Sequence, residues 1–204
     1  EAGIVDRFMR KGLNIFGQAK EMAKLEASKV YAKEAMQRFA IPTASFEVFD
    51  SADKAIEWTR RSRLFDTHYP VVVKADGLAA GKGVVICKNR QEAQMAIEDM
   101  MVRKVFGRAG ERIIIEECLK GEEASILAVS DGINVAPLAS SQDHKRALDR
   151  DKGPNTGGMG AYSPAPVVTS GMLKRIMDEV IHPLINGLAK ENKFYKGILY
   201  AGIM

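Results

Sequence analysis

The stretch Val71-Val72-Val73-Lys74-Ala75-Asp76-Gly77-Leu78-Ala79-Ala80-Gly81-Lys82-Gly83-Val84-Val85-Ile86 reads as a buried strand, a glycine-rich loop holding a lysine, and a second strand. β-Branched apolar runs bounded by glycine predict paired strands. Gly77, Gly81 and Gly83 carry no Cβ, so their backbone N–H groups can come close to an anion. Lys74 at the end of the first strand and Lys82 in the loop add positive charge. These are the parts of a polyphosphate grip, and they equally suit a plain hairpin whose glycines serve turn geometry alone.

Two common nucleotide motifs are excluded. A P-loop needs G-x-x-x-x-G-K-[ST], but only three residues separate Gly77 from Gly81, and Gly83 stands where a serine or threonine should be. A dinucleotide fingerprint would put its third glycine at Ile86 and open a helix rather than a strand.

Outward from the loop, the elements follow a regular order. Residues 45–49 alternate as a strand, and Asp50 or Ser51 caps a helix that runs through Arg63. Asn89-x-x-Glu92 is a capping box for a helix with Ala93, Ala96, Ile97, Met100 and Met101 on its apolar face. Residues 112–119 form another strand. The expectation is β-α-β-loop-β-α-β, a two-layer α+β unit with its helices on one face. Upstream, residues 21–39 carry a helical pattern through Leu25, Ala32, Ala35, Met36 and Phe39, ended by Pro42. Ser28 is a candidate cap for a fresh helical start with Lys29 in its first turn. A lysine there opposes the helix dipole, so it calls for a partner that offsets it or for a solvated position. Residues 1–20 combine a short helical piece with the strand-like run Leu13-Asn14-Ile15-Phe16-Gly17.

Downstream, Ile115-Glu116-Glu117-Cys118-Leu119 runs from an apolar strand into two acids, and Gly121-Glu122-Glu123-Ala124-Ser125 turns into the next strand. Such acids are solvated strand ends, or acceptors for an adenine amino group or a ribose hydroxyl beside an apolar slot. Next comes Gln142-Asp143-His144-Lys145-Arg146, a basic cluster followed after a polar loop by a glycine-rich turn, Gly153-Pro154-Asn155-Thr156-Gly157-Gly158-Met159-Gly160-Ala161-Tyr162. Lys145 and Arg146 as charges and Gly157 to Gly160 as N–H donors make an oxyanion grip, with His144 as an anchoring donor. A flexible surface loop is the alternative. Met172, Leu173, Ile176, Met177, Val180, Ile181, Leu184 and Leu188 form an amphipathic core stripe, with a kink expected at Pro183.

Composition narrows the class. With 204 residues, 46% hydrophobic and 27% charged, the chain has the make-up of a globular protein of one large or two small domains. A net charge of +4 with acids and bases interleaved argues against nucleic acid. Cys87 and Cys118 lie in apolar runs without metal-ligand spacing and read as buried hydrophobes of a reducing compartment. No signal-peptide or membrane-spanning pattern is present, which points to the cytosol. The opening Glu1 and a last run, Gly197-Ile198-Leu199-Tyr200-Ala201-Gly202-Ile203-Met204, that stops inside an expected core strand suggest an internal fragment.

The loop of residues 74–84, the acids at 116–117 and 122–123, the Asp143-His144-Lys145-Arg146 cluster, the run of residues 153–162 and Gly197-Ile198-Leu199-Tyr200 together resemble the phosphoribosylamine–glycine ligase family of purine biosynthesis, in the ATP-grasp superfamily. The lysine–glycine loop alone would indicate only the superfamily; the basic cluster with Pro154-Asn155-Thr156-Gly157-Gly158-Met159-Gly160 narrows it. The resemblance implies an incomplete ATP-grasp fold with a β-α-β-β-α-β lid. Residues 1–24 would end a preceding N-terminal domain, 25–44 would be a linker helix of the core, 45–120 the lid, and 121–204 the first part of the C-terminal core. It implies that Lys29 and Lys74 contact ATP phosphates, and that the loop with Gly81, Lys82 and Gly83 closes over the triphosphate. Glu116, Glu117 and Leu119 would form the adenine hinge, and Glu123 would hold the ribose. Asp143, His144, Lys145 and Arg146 would carry the chemistry, while Asn155, Thr156, Gly157, Gly158, Met159 and Gly160 would face substrate. The implied reaction joins glycine to 5-phosphoribosylamine through glycyl phosphate, giving glycinamide ribonucleotide, ADP and phosphate. Mg2+ or Mn2+ is implied too, with its ligands expected outside this chain, so that the fragment itself would not catalyse ligation. The rival readings are another ATP-grasp carboxylate–amine ligase, a non-catalytic ATP-binding module and, last, a nucleic-acid binder.

Overall fold

The structure, a computed structural model, describes residues 2–61, 70–77, 79, 82–149 and 152–204, without the side chains of Lys145, Arg146, Pro154 and Asn155. In chain order the helices are α1 (Ile4–Arg10), α2 (Lys24–Ala27), α3 (Lys29–Arg38), α4 (Ala52–Arg61), α5 (Arg90–Ile97), α6 (Ser170–Ile176) and α7 (His182–Lys190). The strands are β1 (Phe46–Phe49), β2 (Val71–Ala75), β3 (Val84–Cys87), β4 (Ile113–Glu117), β5 (Ala124–Asp131), β6 (Val135–Pro137), β7 (Gln142–Leu148), β8 (Lys152–Tyr162) and β9 (Lys196–Ile203). They divide into two compact units.

The first unit comprises Ala23–Arg38 and Pro42–Leu119. Its antiparallel sheet has the order β1-β4-β2-β3, with Val73 opposite Val85 on one side and Ile115 on the other. Because strand side chains alternate, Val71, Val73, Ala75, Ile113 and Ile115 share one face. There they pack with Phe49, Ala55, Ala93, Ala96, Ile97 and Met100 into a closed core under α4 and α5. Val72, Lys74, Ile114 and Glu116 therefore point to the opposite face. The expected strand–helix order is realised, and the loop of the opening stretch joins adjacent strands. Asn89 caps α5 by accepting Glu92 N–H at 2.9 Å, but the return bond differs from a simple capping box: the Glu92 carboxylate takes Lys88 N–H at 2.8 Å.

The second unit comprises Ala2–Met22, Phe39–Ile41 and Lys120–Met204. β5 lies between β6 and β9, burying Ala124, Ile126, Ala128 and Ser130 on alternate residues. The long apolar stripe is helical throughout, but a π-helical turn, Met177–Ile181, separates α6 from α7. The wider turn falls just before Pro183, which cannot donate a backbone hydrogen bond and would clash in an unbroken α-helix. Gly187 lets the Phe39 ring lie against α7: a Cβ there would stand 2.3 Å from the ring.

Four expectations need correction. The run of residues 13–17 is not a strand; it has no ladder partner among the described residues, and Leu13 and Phe16 are exposed. The helical pattern of residues 21–39 is broken at Ser28, whose extended backbone separates α2 from α3 as the capping reading anticipated. The glycine-rich turn after the basic cluster is mostly strand: β8 pairs antiparallel with β7. Finally, among the described residues β9 lies at the edge of its sheet and is buried on one face only, with Ile198 and Tyr200 exposed. Cys87 is buried as expected, whereas Cys118 lies just past β4 and is only half-buried. None of the described helices is long and apolar enough to cross a membrane.

Candidate functional site

Within the first unit, charged side chains gather at the end of β2 and on the sheet face opposite α4 and α5. Lys29 opens α3, and its ammonium donates to Ala75 O at 2.9 Å and Gly77 O at 3.2 Å, gripping the root of the glycine loop. The partner that a first-turn lysine calls for is Asp76. Its Oδ1 accepts Val30 N–H and Ser28 Oγ–H, both at 2.8 Å, while Oδ2 accepts Arg112 at 2.6 Å. Ser28 caps α3 as well, taking Tyr31 N–H at 3.0 Å. Burial holds the Lys29 ammonium below its ordinary pKa of 10.5; Asp76 works against that shift and Lys74 adds to it.

Lys74 is ion-paired with Glu116, and Lys33 approaches the other oxygen of the same carboxylate at 2.8 Å, outside hydrogen-bonding angles. Glu116 is thus a buried acid facing two lysines rather than a solvated strand end. Glu117 is half-buried, and Ser45 N–H points to its Oε2 at 3.4 Å. Leu119 is exposed at the end of the unit, and Val84 and Ile86 are exposed on the outer strand β3.

The loop glycines have packing reasons of their own. A Cβ on Gly77 would stand 2.8 Å from Ala109 Cβ, and one on Gly83 would stand 2.7 Å from Ala79 Cβ. Two loop N–H groups are already used, Gly77 on Ala109 O at 3.4 Å and Lys82 on Ala79 O at 2.9 Å. Gly81 lies outside the described residues; Lys82 is exposed. Among the described residues of the loop, Gly77 and Lys82 thus have their N–H groups engaged within the protein.

In the second unit the hairpin β7–β8 carries the other candidates. Its register jumps between the His144–Gly160 and Arg146–Asn155 pairs, so Thr156, Gly157, Gly158 and Met159 bulge out of the ladder. Gly158 (φ 123°) and Gly160 (φ 153°) occupy backbone that favours glycine, and nothing lies within 4 Å of a Cβ built on Gly157, Gly158 or Gly160. Glycine there leaves open space. Gly158 N–H is turned back onto Thr156 Oγ1 at 3.1 Å, and Met159 is exposed. His144 is exposed and leans on the Tyr162 ring, centroids 5.4 Å apart, while Tyr162 OH donates to Gln142 at 2.6 Å. Asp143 is half-buried; the Lys145, Arg146 and Asn155 side chains lie outside the description. Glu123 is exposed just before β5.

The structure thus brings Lys29, Lys74 and Glu116 together in one unit, and Asp143 to Arg146 beside Asn155 to Gly160 in one hairpin of the other. Sequence reading missed Asp76, Arg112 and Lys33. The signal for Lys33 was its spacing of four from Lys29, which puts two cations on one face of α3. Among the described residues no group of three or more His, Cys, Asp or Glu could hold a metal ion.

Known proteins share this architecture and sequence. The chain is 51% identical over 203 residues to phosphoribosylamine–glycine ligase of Pseudomonas aeruginosa and 52% identical over 202 residues to that of Haemophilus influenzae. It covers essentially all of itself in these matches, but only 46% of either relative. A crystal structure of phosphoribosylamine–glycine ligase from Thermotoga maritima superposes with a TM-score of 0.84 at 38% identity, over 98% of this chain and 49% of that one. A biotin carboxylase from Campylobacter jejuni, at 17% identity and TM-score 0.73 over 97% of this chain and 41% of that one, shares the fold. The family model described as phosphoribosylglycinamide synthetase, ATP-grasp (A) domain, matches residues 27–204, and the chain belongs to that family.

Proposed function

We propose that this protein serves as an ATP-dependent carbon–nitrogen ligase of the cytosol, joining glycine to 5-phosphoribosylamine to give glycinamide ribonucleotide, ADP and phosphate. The observation that carries the reading is the pair of partly buried lysines, Lys29 and Lys74, at the root of the glycine loop. Lys29 is held there with its pKa lowered by burial, a position that favours an incoming polyanion. Beside them Val84 and Ile86 offer the apolar surface an adenine ring needs.

The residues present fit ATP. Lys29, Lys74 and Lys82 would hold its phosphates, with Gly81 and Gly83 allowing close approach. As the family resemblance implies, Glu116, Glu117 and Leu119 would meet the adenine and Glu123 the ribose. When bound, ATP supplies the phosphoryl group that activates the glycine carboxylate as glycyl phosphate. The chain's own work is to bind, orient and exclude water, since amine attack on an acyl phosphate needs no enzyme nucleophile. Asp143, His144, Lys145 and Arg146, with the open bulge from Asn155 to Gly160, would position the acceptor and its developing charge. The described residues hold no group of three or more His, Cys, Asp or Glu that could ligate Mg2+ or Mn2+.

Calorimetric titration with ATP, wild type against Lys74→Ala, tests the site: affinity should fall about tenfold or more, the loss of one phosphate-pairing cation. Equal affinity in the two proteins would remove the phosphate grip. In the full-length enzyme, ADP release that depends on both glycine and phosphoribosylamine tests the substrates; dependence on a different carboxylate would replace this ligase by another of the superfamily.

A further inference from the structure

Two lysines share one carboxylate, and they are held very differently. Lys33 is fixed on several sides: its ammonium donates to Thr43 Oγ1 at 2.7 Å and Ala44 O at 3.3 Å, and it sits 5.2 Å over the Phe46 ring. Its side chain is 12% exposed and lies 2.8 Å from Glu116 Oε2. Lys74 takes Oε1 of the same group from a strand position and is 28% exposed, while Glu116 is 5% exposed. The cluster carries one cation more than its anion requires.

We propose that Lys33 is a positioning residue that acts through Glu116: it keeps that carboxylate neutralised, so that Lys74 can leave it for the phosphates of a nucleoside triphosphate. A buried carboxylate abandoned by its sole cation is costly, and it would hold that cation back. With Lys33 in place the departure of Lys74 leaves Glu116 still paired. The surplus charge is then available to the ligand rather than locked in an internal ion pair. This inference rests on the ATP reading above and adds a residue that makes no contact with nucleotide itself.

The test is ATP affinity by calorimetry for wild type, Lys74→Ala, Lys33→Arg, Lys33→Gln, Glu116→Gln and Lys33→Gln/Glu116→Gln, with folding checked by thermal melting. Lys33→Gln removes the charge while keeping a hydrogen-bond donor on a side chain one bond shorter, and it should weaken ATP binding about tenfold, as expected when a buried acid regains its hold on one lysine. Lys33→Arg should stay within about threefold of wild type, since the charge is retained. Glu116→Gln sets the baseline for whatever the carboxylate itself gives the nucleoside. The double variant, with no carboxylate left to hold Lys74, should bind within about threefold of Glu116→Gln alone, a coupling that a merely structural lysine does not produce. A Lys33→Gln protein that binds like wild type, or a double variant about tenfold weaker than Glu116→Gln, overturns the proposal. If Lys33→Gln fails to fold, the comparison of the double variant with Glu116→Gln decides alone: a further loss of about tenfold or more overturns it. Wild type binding ATP and Lys74→Ala losing it, with Lys33→Gln unaffected, sinks this inference and leaves the ligase reading standing. A wild type that binds no ATP sinks both.

Discussion

The carboxylate of Asp76 accepts the backbone N–H of Val30 at 2.8 Å across 46 residues of sequence, so a side chain at the end of β2 caps the helix that carries Lys29. The same carboxylate takes Ser28 Oγ–H and Arg112. One acid therefore ties together the start of α3, the root of the glycine loop and the start of β4.

Replacing Asp76 by alanine should cost about 1–3 kcal/mol, the sum of a lost helix cap and a partly exposed ion pair. Asp76→Asn keeps an acceptor for Val30 and should cost about half as much. Urea unfolding of both variants measures the difference. An alanine variant as stable as wild type would mean the network is incidental.

Lys29 gives the site an alkaline signature. Its folded pKa lies below the ordinary 10.5 because burial disfavours the charged form. Between those two pKa values the unfolded chain binds the proton and the folded one does not, so this lysine makes stability rise with pH across that window. Below the folded pKa the penalty is present in full. Bound phosphate would pull the folded pKa back up, so ATP binding in that window should take up a proton. Calorimetry in two buffers of different ionisation enthalpy reads the uptake directly. It should vanish in Lys29→Met, and buffer-independent heats in wild type would rule out a phosphate contact at Lys29.

Most of the first unit was legible because its signals are local. β-Branched runs, the Asn89 cap and the apolar periodicity of α5 each follow from a few neighbouring residues. What escaped was non-local. Nothing around Asp76 in sequence announces that it caps a helix 46 residues upstream, and nothing near Lys33 announces Glu116. The glycine-rich run misled for a different reason: glycine marks a turn by propensity, but β7 supplied ladder partners for Asn155 and for Gly160 to Tyr162, leaving residues 156–159 outside the ladder. The strand-like run of residues 13–17 failed the opposite way, since apolar alternation without a partner strand makes no ladder.

The two cysteines should differ sharply in reactivity. Burial, with the nearby Glu92 carboxylate, pushes the Cys87 thiol up to about 11, and the side chain is fully enclosed by the helix-side core. Cys118 is half-buried beyond β4. Only thiolate reacts with iodoacetamide, so labelling of the folded protein near neutral pH should fall on Cys118 first. Peptide mapping after a short exposure shows the order. Cys87 modified as fast as Cys118, without unfolding, would contradict the packing of β3 against α5.

The glycines offer the cleanest separation of scaffold from site. Gly77→Ala puts a methyl 2.8 Å from Ala109 Cβ and 2.9 Å from Ala109 Cα, so it should cost about 1–3 kcal/mol by overpacking. Ala109→Gly in the same protein should restore only part of that, because the backbone Cα still stands in the way. Gly157→Ala meets nothing within 4 Å, and its backbone does not require glycine. Its stability should stay within about 0.5 kcal/mol of wild type. If the bulge between β7 and β8 faces substrate, the added methyl at Gly157 should nevertheless reduce glycine-dependent ADP release by the full-length enzyme. A Gly157→Ala protein unchanged in both melting temperature and turnover would make the bulge a surface feature and move the acceptor site elsewhere. One that loses stability as Gly77→Ala does would mean that residues 156–159 are packed rather than open.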